Sequence, residues 1–201
     1  MILFDLNGTI FDDQPLCFSA TSAIFDAFGK KAPSVEYVFR VFSGDYLSTY
    51  RAAGITAERD DLNLLFQEHY RKGIDMVALF PGVRETLEVL CRRFTIGIVS
   101  AQLYDLAIEP LLRLGISNYF RYQSFHVLDK AAELERLLQL EKEDPVNCWF
   151  VGDAPADIRH GRRAGVKTIA FLSGRIPNDL LLAEKPTCSI RQFAELTEVI
   201  T

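Results

Sequence analysis

Four runs of unbroken apolarity constrain the fold of this 201-residue chain more than any other feature. They are "MILF" at the start, "TIGIVS" at 95–100, "CWFVG" at 148–152 and "KTIAFL" at 167–172. A strand with one wet face alternates apolar and polar residues. A strand without alternation is covered on both faces, as in a parallel sheet packed between helices. "YQSFHV" (122–127) and "TCSI" (187–190) are weaker strands of the same kind. Between the runs lie segments with helical spacing: "PGVRETLEVLCRR", "YDLAIEPLLRLG", "DKAAELERLLQLEKED", "PADIRHGRRAG" and "QFAELTEVI". Pro81 suits a helix start, and Pro110 is expected to kink its helix. Strand-helix alternation of this kind predicts an α/β fold with a doubly wound parallel sheet.

One stretch breaks the alternation. From 14 to 79 every segment has helical spacing, with Gly or Pro-Ser between segments. The expected organisation is therefore an α/β core of residues 1–13 and 80–201, with an all-α insertion over 14–79 after the first strand. A net charge of −5 gives no basic surface for nucleic acid or an anionic membrane. No apolar run approaches the length of a membrane span, and no secretory leader pattern opens the chain. The four cysteines are scattered without a CxxC pair and read as free thiols in a reducing compartment. These features predict a cytoplasmic protein without nucleic-acid or membrane partners, and they leave the oligomeric state open.

Ligands of an open parallel sheet bind at the carboxyl ends of its strands. Four chemically able residues fall there. Asp5 follows "ILF", Ser100 ends "TIGIVS", Lys130 lies just beyond "YQSFHV", and Asp153 follows "CWFVG". Each also has a plain structural reading. Asp5 could open an Asn7-Gly8 turn, since Asn-Gly between apolar runs is a strong hairpin signal. Ser100 could be a strand-end hydroxyl. Asp153, with Pro155 and Asp157, could form a helix cap and an acidic first turn. Lys130 stands apart, because a cation at a helix start opposes the helix dipole. His160, Arg162 and Arg163 sit late in their helix, where the dipole favours them, and His69 and His126 have no partner visible in sequence. Taken together, the four strand-end groups suit phosphoryl transfer. Carboxylates hold a hard cation such as Mg²⁺, a hydroxyl and an ammonium hold phosphate oxygens, and one carboxylate remains as nucleophile.

These residues resemble the haloacid dehalogenase superfamily in order and separation. "ILFDLNGTIFD" is similar to its first motif, a strand followed by DxDGT; "IVSA" is similar to the second, Lys130 to the third, and "FVGDAPADIRHGRRAGVKTI" to the fourth, GDxxxD. The helical insertion and "LFPGVRETLEVL" resemble the phosphoglycolate-phosphatase-like branch with its α-helical cap. The resemblance implies that Asp5 forms an aspartyl-phosphate and that Mg²⁺ is held by Asp5, the Asn7 backbone carbonyl and Asp153, with Asp157 in or near its shell. Ser100, the backbone after it at Ala101, and Lys130 would hold the phosphoryl group of a small phosphorylated metabolite. The loop "FSGDYLSTYR" resembles a cap loop facing the site, which makes Ser43, Tyr46 and Arg51 candidates for substrate contact. A short hairpin flap follows the first motif in this family, so the Asn7-Gly8 stretch is expected to be a catalytic loop leading into a turn.

Two positions depart from the family pattern. At Asn7 the family's phosphatases carry an Asp that protonates the leaving oxygen, and Ala101 replaces a frequent Asn. An amide cannot exchange that proton, and such catalysis is worth roughly 10²–10⁴-fold. Two expectations follow: a weakened Mg²⁺-dependent phosphatase, or a catalytically silent protein that binds a phosphorylated ligand or a protein partner. The first predicts that Asn7→Asp raises turnover roughly 10²-fold.

Overall fold

The computed structural model describes residues 1–41 and 46–200. In chain order the elements are β1 (Ile2–Phe4), β2 (Phe11–Asp12), α1 (Gln14–Ala27), α2 (Val35–Val41), α3 (Tyr46–Ala52) and α4 (Arg59–Lys72). There follow β3 (Ala78–Leu79), α5 (Val83–Leu90), β4 (Ile96–Val99), α6 (Tyr104–Arg113), β5 (Tyr122–Ser124) and α7 (Lys130–Glu141). The chain ends with β6 (Trp149–Gly152), α8 (Pro155–Arg163), β7 (Lys167–Phe171), α9 (Asn178–Ala183), β8 (Cys188–Ile190) and α10 (Leu196–Val199).

Six strands form one parallel sheet in the order β5-β4-β1-β6-β7-β8. The chain winds outward from β1 through β4 to β5, then returns to build β6, β7 and β8 on the other side. Strand order reverses at β1, so the carboxyl ends of β4, β1 and β6 border the crevice where such sheets bind ligands. The unbroken apolarity has its cause in the two covered faces. Ile2 and Phe4 pack in a cluster with Val83 and Leu87 of α5 and Leu106 and Leu111 of α6. Leu3, between them, packs with Val99, Phe150 and Leu134, Leu137 and Leu138 of α7. Each such side chain contributes about 1.5–3 kcal/mol by leaving water, so both faces of the central strand β1 are apolar.

The helical stretch packs α1 against α4. Ile24, Phe25, Tyr50 and Leu62 form a small core of their own, while Leu16, Cys17, Ala20 and Tyr70 join the main cluster. Cys17, Cys91, Cys148 and Cys188 are free thiols. Among the described residues no helix is long and apolar enough to cross a membrane.

Two local readings change, while helix α6 continues through Pro110 to Arg113. Strand β5 stops at Ser124, short of the expected 127, because the next residues turn toward β4. The His126 N–H donates to the Gln102 carbonyl at 2.7 Å and that of Val127 to the Ser100 carbonyl at 3.0 Å. Asn7-Gly8 does form a turn, with the Gly8 N–H donating to the Phe11 carbonyl at 2.8 Å, but it joins no hairpin. The partner of β2 is β3, on the far side of the helical stretch, with Phe11 opposite Leu79.

Candidate active site

The site begins in the loop that leaves β1. The Asp5 N–H is tied to the Val151 carbonyl of β6 at 2.8 Å, and the Leu6 carbonyl accepts from the N–H groups of Thr9, Ile10 and Phe11. That coil brings Asp5, Asn7 and Asp13 to the sheet edge within one short segment. Gly8 makes it possible: its φ is +81°, and a Cβ there would lie 2.2 Å from Asp153 Oδ2. From the other side, Asp129 caps α7 by accepting from the N–H groups of Ala131 and Ala132. Lys130, the first residue of that helix, then reaches into the crevice.

Lys130 Nζ lies 2.7 Å from Asp5 Oδ1 and 2.7 Å from Asp157 Oδ1. The tension between cation and helix start, noted in the sequence, is resolved by two carboxylates. Asp157 also accepts the Ala154 N–H at 3.1 Å, so it orders the start of α8 as well as holding Lys130. The glycine at 152 is needed here too, since a Cβ would meet that of Asp157 at 2.4 Å. Asp153 is buried and, among the described residues, receives a single long hydrogen bond, from the Thr9 hydroxyl (3.3 Å), with Arg175 Nε 4.0 Å away. It is not the cap of α8; that helix is capped at Ala154.

Electrostatics follow from burial. Asp153 is pushed up to about 8 by burial, which outweighs Arg175, with the charges of Asp5 and Asp157 adding to the rise. Asp5 rises to about 6, again chiefly by burial, although Lys130 opposes it. Burial works against the charge on Lys130 as well, but Asp157 and Asp5 overcome it and hold the ammonium firmly protonated. Oxygens of Asp5, Asp153 and Asp157 come within 4.8 Å of one another. Three buried carboxylates have one lysine among them, and the nearest cation to Asp153 among the described residues is Arg175, 4.0 Å away and already bonded to Asp13. An all-oxygen set short of positive charge fits a hard divalent cation.

The remaining expected residues are placed unevenly. Ser100 follows β4, whose Ile98 is in register with Phe4, so it sits on the same sheet edge as Asp5. Its hydroxyl accepts the Gln102 N–H at 3.1 Å. Ala101 and Asn7 both line a cavity of about 240 Å³ between the sheet edge and α1, α3 and α4. Arg51 is exposed and does not line that cavity; from the same helix, Tyr50 does. Ser43 lies outside the described residues, and of Tyr46 only the backbone is described.

A buried polar network escaped the sequence reading. Asp13, with no exposed side-chain surface, accepts Asn7 Nδ2 at 2.5 Å, the Tyr70 hydroxyl at 2.8 Å and Cys17 Sγ at 3.0 Å, all on Oδ2. Arg175 Nη1 donates to its other oxygen at 3.2 Å. The doubled acid Asp12-Asp13 directly after the first motif was the one local signal. Tyr70 and Arg175 carry none, because they are distant in sequence.

A doubly wound parallel sheet with carboxylates and a lysine gathered at its switch point defines a Rossmann-like α/β protein of the kind that acts on charged substrates. More narrowly, the chain belongs to the haloacid dehalogenase-like hydrolases, whose family pattern it matches over residues 2–171. It is 26% identical to phosphoglycolate phosphatase 1 of Pseudomonas aeruginosa, over 98% of this chain and 78% of that one. It is 27% identical to the pyrophosphatase PpaX of Oceanobacillus iheyensis, over 99% and 95%. A haloacid dehalogenase-like family protein from Streptococcus pneumoniae superposes with a TM-score of 0.85 at 23% identity, covering 100% of this chain and 97% of that one.

Proposed function

We propose that the chain is a Mg²⁺-dependent phosphatase of small phosphate monoesters, with Asp5 as nucleophile. The observation that carries this reading is the Lys130 ammonium shared between Asp5 and Asp157 beside the undercompensated Asp153. Relatives named as phosphatase and pyrophosphatase support it.

An Asp5 oxygen attacks phosphorus, the ester oxygen leaves with its electron pair, and Asp5 becomes an acyl phosphate. Water then cleaves that bond, releasing phosphate and restoring the carboxylate. Lys130 offsets the charge of Asp5, so that an anionic phosphoryl group can approach it. Ser100 Oγ and the Ala101 N–H would hold phosphoryl oxygens. Asp5, Asp153, Asp157 and the Asn7 carbonyl would hold Mg²⁺, which supplies positive charge to the phosphate oxygens when bound. Asn7 cannot supply the proton that the leaving oxygen needs, so esters of acidic alcohols should react faster than alkyl esters.

Residues 14–79 act as a cap over the core at 1–13 and 80–201, and the cavity beneath it takes the organic part of the substrate. Ile24, Leu62, Phe66, Leu103 and Leu128 line it. Of the described lining residues Arg175 is the permanent cation, and Asp13 already engages it. Among the described lining residues an uncharged, apolar alcohol portion finds more partners than a second anion, as in phosphoglycolate or pyrophosphate, because the one permanent cation is already engaged. The free thiols suit a reducing cytoplasm.

The test is Mg²⁺-dependent phosphate release from an aryl phosphate, an apolar alkyl phosphate and phosphoglycolate, with EDTA and Asp5→Ala controls. The expected order is aryl, then alkyl, then phosphoglycolate. Phosphoglycolate as the best substrate would remove the cavity reading, and turnover surviving Asp5→Ala would remove the nucleophile.

A further inference from the structure

We infer that Asp13 is the positioning residue of Asn7: its carboxylate turns the amide so that Nδ2 faces inward and Oδ1 is presented to the cavity, and it bars an aspartate from position 7. The inference rests on the proposed phosphatase reading for its catalytic consequence, but its structural part stands on hydrogen-bond chemistry alone.

A carboxylate of this kind only accepts hydrogen bonds. The Asn7 atom 2.5 Å from Asp13 Oδ2 must therefore be the amide nitrogen, and its second contact, the Tyr70 oxygen at 3.3 Å, is also an acceptor. Tyr70 spends its single proton on Asp13. The arrangement is closed: the donors Asn7, Tyr70, Cys17 and Arg175 surround one fully buried acceptor pair. Asn7 is half-buried at the cavity wall, so Oδ1 is the polar atom it has left for the substrate side. That oxygen can accept a hydrogen bond and so orient a water or an alcohol. It cannot take the proton.

An aspartate at 7 would replace the innermost donor by a second acceptor, anionic and 2.5 Å from the first. Tyr70 and Cys17 already donate to Oδ2 and Arg175 to Oδ1, so the two carboxyls could stay together only by taking up and sharing a proton, at a cost to stability near neutral pH. The simple substitution Asn7→Asp is thus predicted to fail where the sequence alone predicts a gain. Exchanging the two residues removes the conflict. In Asn7→Asp/Asp13→Asn an amide at 13 donates to a carboxylate at 7, and Tyr70, whose oxygen lies 3.3 Å from the position-7 atom, turns its proton to that carboxylate, so that Cys17 alone of the Oδ2 donors loses its acceptor. Position 7 then holds a carboxylate able to exchange a proton at the cavity wall.

The experiment compares wild type, N7D, D13N and N7D/D13N by thermal unfolding and by Mg²⁺-dependent hydrolysis of an aryl phosphate. N7D should melt at least about 5 °C below wild type and show no gain in kcat. The exchanged pair should recover most of that loss and raise kcat about 10²-fold, with KM changed far less. N7D alone being as stable as wild type, or the two substitutions adding independently, would overturn the pairing. A recovered melting temperature with unchanged kcat would overturn the claim that position 7 limits proton transfer. If the melting pattern holds while no variant releases phosphate, the pairing stands and the phosphatase reading falls. If wild type hydrolyses and the substitutions simply add, the reverse is true.

Discussion

At the scale of single residues, the charge balance of the site turns on one ammonium group. Lys130 is shared equally by Asp5 and Asp157, both buried. Removing one partner of a buried pair costs about 3–5 kcal/mol, because the other charge is left uncompensated. Lys130→Ala should therefore lose much of its stability as well as its turnover. The loss should be larger at pH 8 than at pH 5, where Asp5 can recover neutrality by binding a proton. Melts of the variant at both pH values check this; an equal loss at each would mean that the lysine acts by packing alone. Tyr70 offers a cleaner probe of the second network. Tyr70→Phe keeps the ring stacked on Phe66 but takes one donor from buried Asp13. A cost of about 1–3 kcal/mol is expected by denaturant unfolding, and a neutral result would show that water replaces the hydroxyl.

At the scale of elements, the loop from Asp5 to Asp13 carries most of the site. Its coil around the Leu6 carbonyl depends on Gly8, which combines a left-handed backbone with contact to Asp153 and Arg175. Gly8→Ala should strain the backbone and also push Asp153 outward. Turnover should consequently fall further than the melting temperature suggests, and comparing the two separates displacement of the site from loss of fold. The long strands of the sheet were readable because burial on both faces leaves a run of apolar residues. The ribbon of β2 and β3 was not, since two residues per strand are too few to show a period. The end of β5 was misread for a related reason: Phe125 and Val127 continue the apolar run, but the chain there is drawn toward the loop after β4 by backbone hydrogen bonds, which leave no mark on composition.

At the scale of the whole molecule, burial of like charges links stability to pH and to metal. In the folded chain Asp153 and Asp5 rise from the ordinary 3.8 to about 8 and about 6. The folded state therefore binds protons that the unfolded chain has already released. Stability contributed by these groups falls as pH rises from about 4 toward 8. The metal-free protein should accordingly lose melting temperature over that window, and Asp153→Asn should flatten the slope. His160, held below its ordinary value by burial, works in the opposite sense. Mg²⁺ bound to the carboxylates should raise the melting temperature more at pH 8 than at pH 5, because protons no longer compete for the oxygens. A magnesium effect that Asp153→Asn leaves unchanged would place the ion elsewhere.

The sequence by itself determined the doubly wound sheet, the helical stretch after its first strand, and the gathering of Asp5, Ser100, Lys130 and Asp153 along one edge. Each follows from a local cause: unbroken apolarity demands two covered faces, and a parallel sheet collects its strand ends on one side. Only the tertiary structure decided what stands next to what. Asp13, Tyr70 and Arg175 meet around Asn7 although no spacing connects them, and the cavity draws on three helices and four loops at once. A hydrogen bond between residues 7 and 70 depends on how the helices pack on the sheet. That packing is a sum of many weak contacts, and no short stretch of sequence records it.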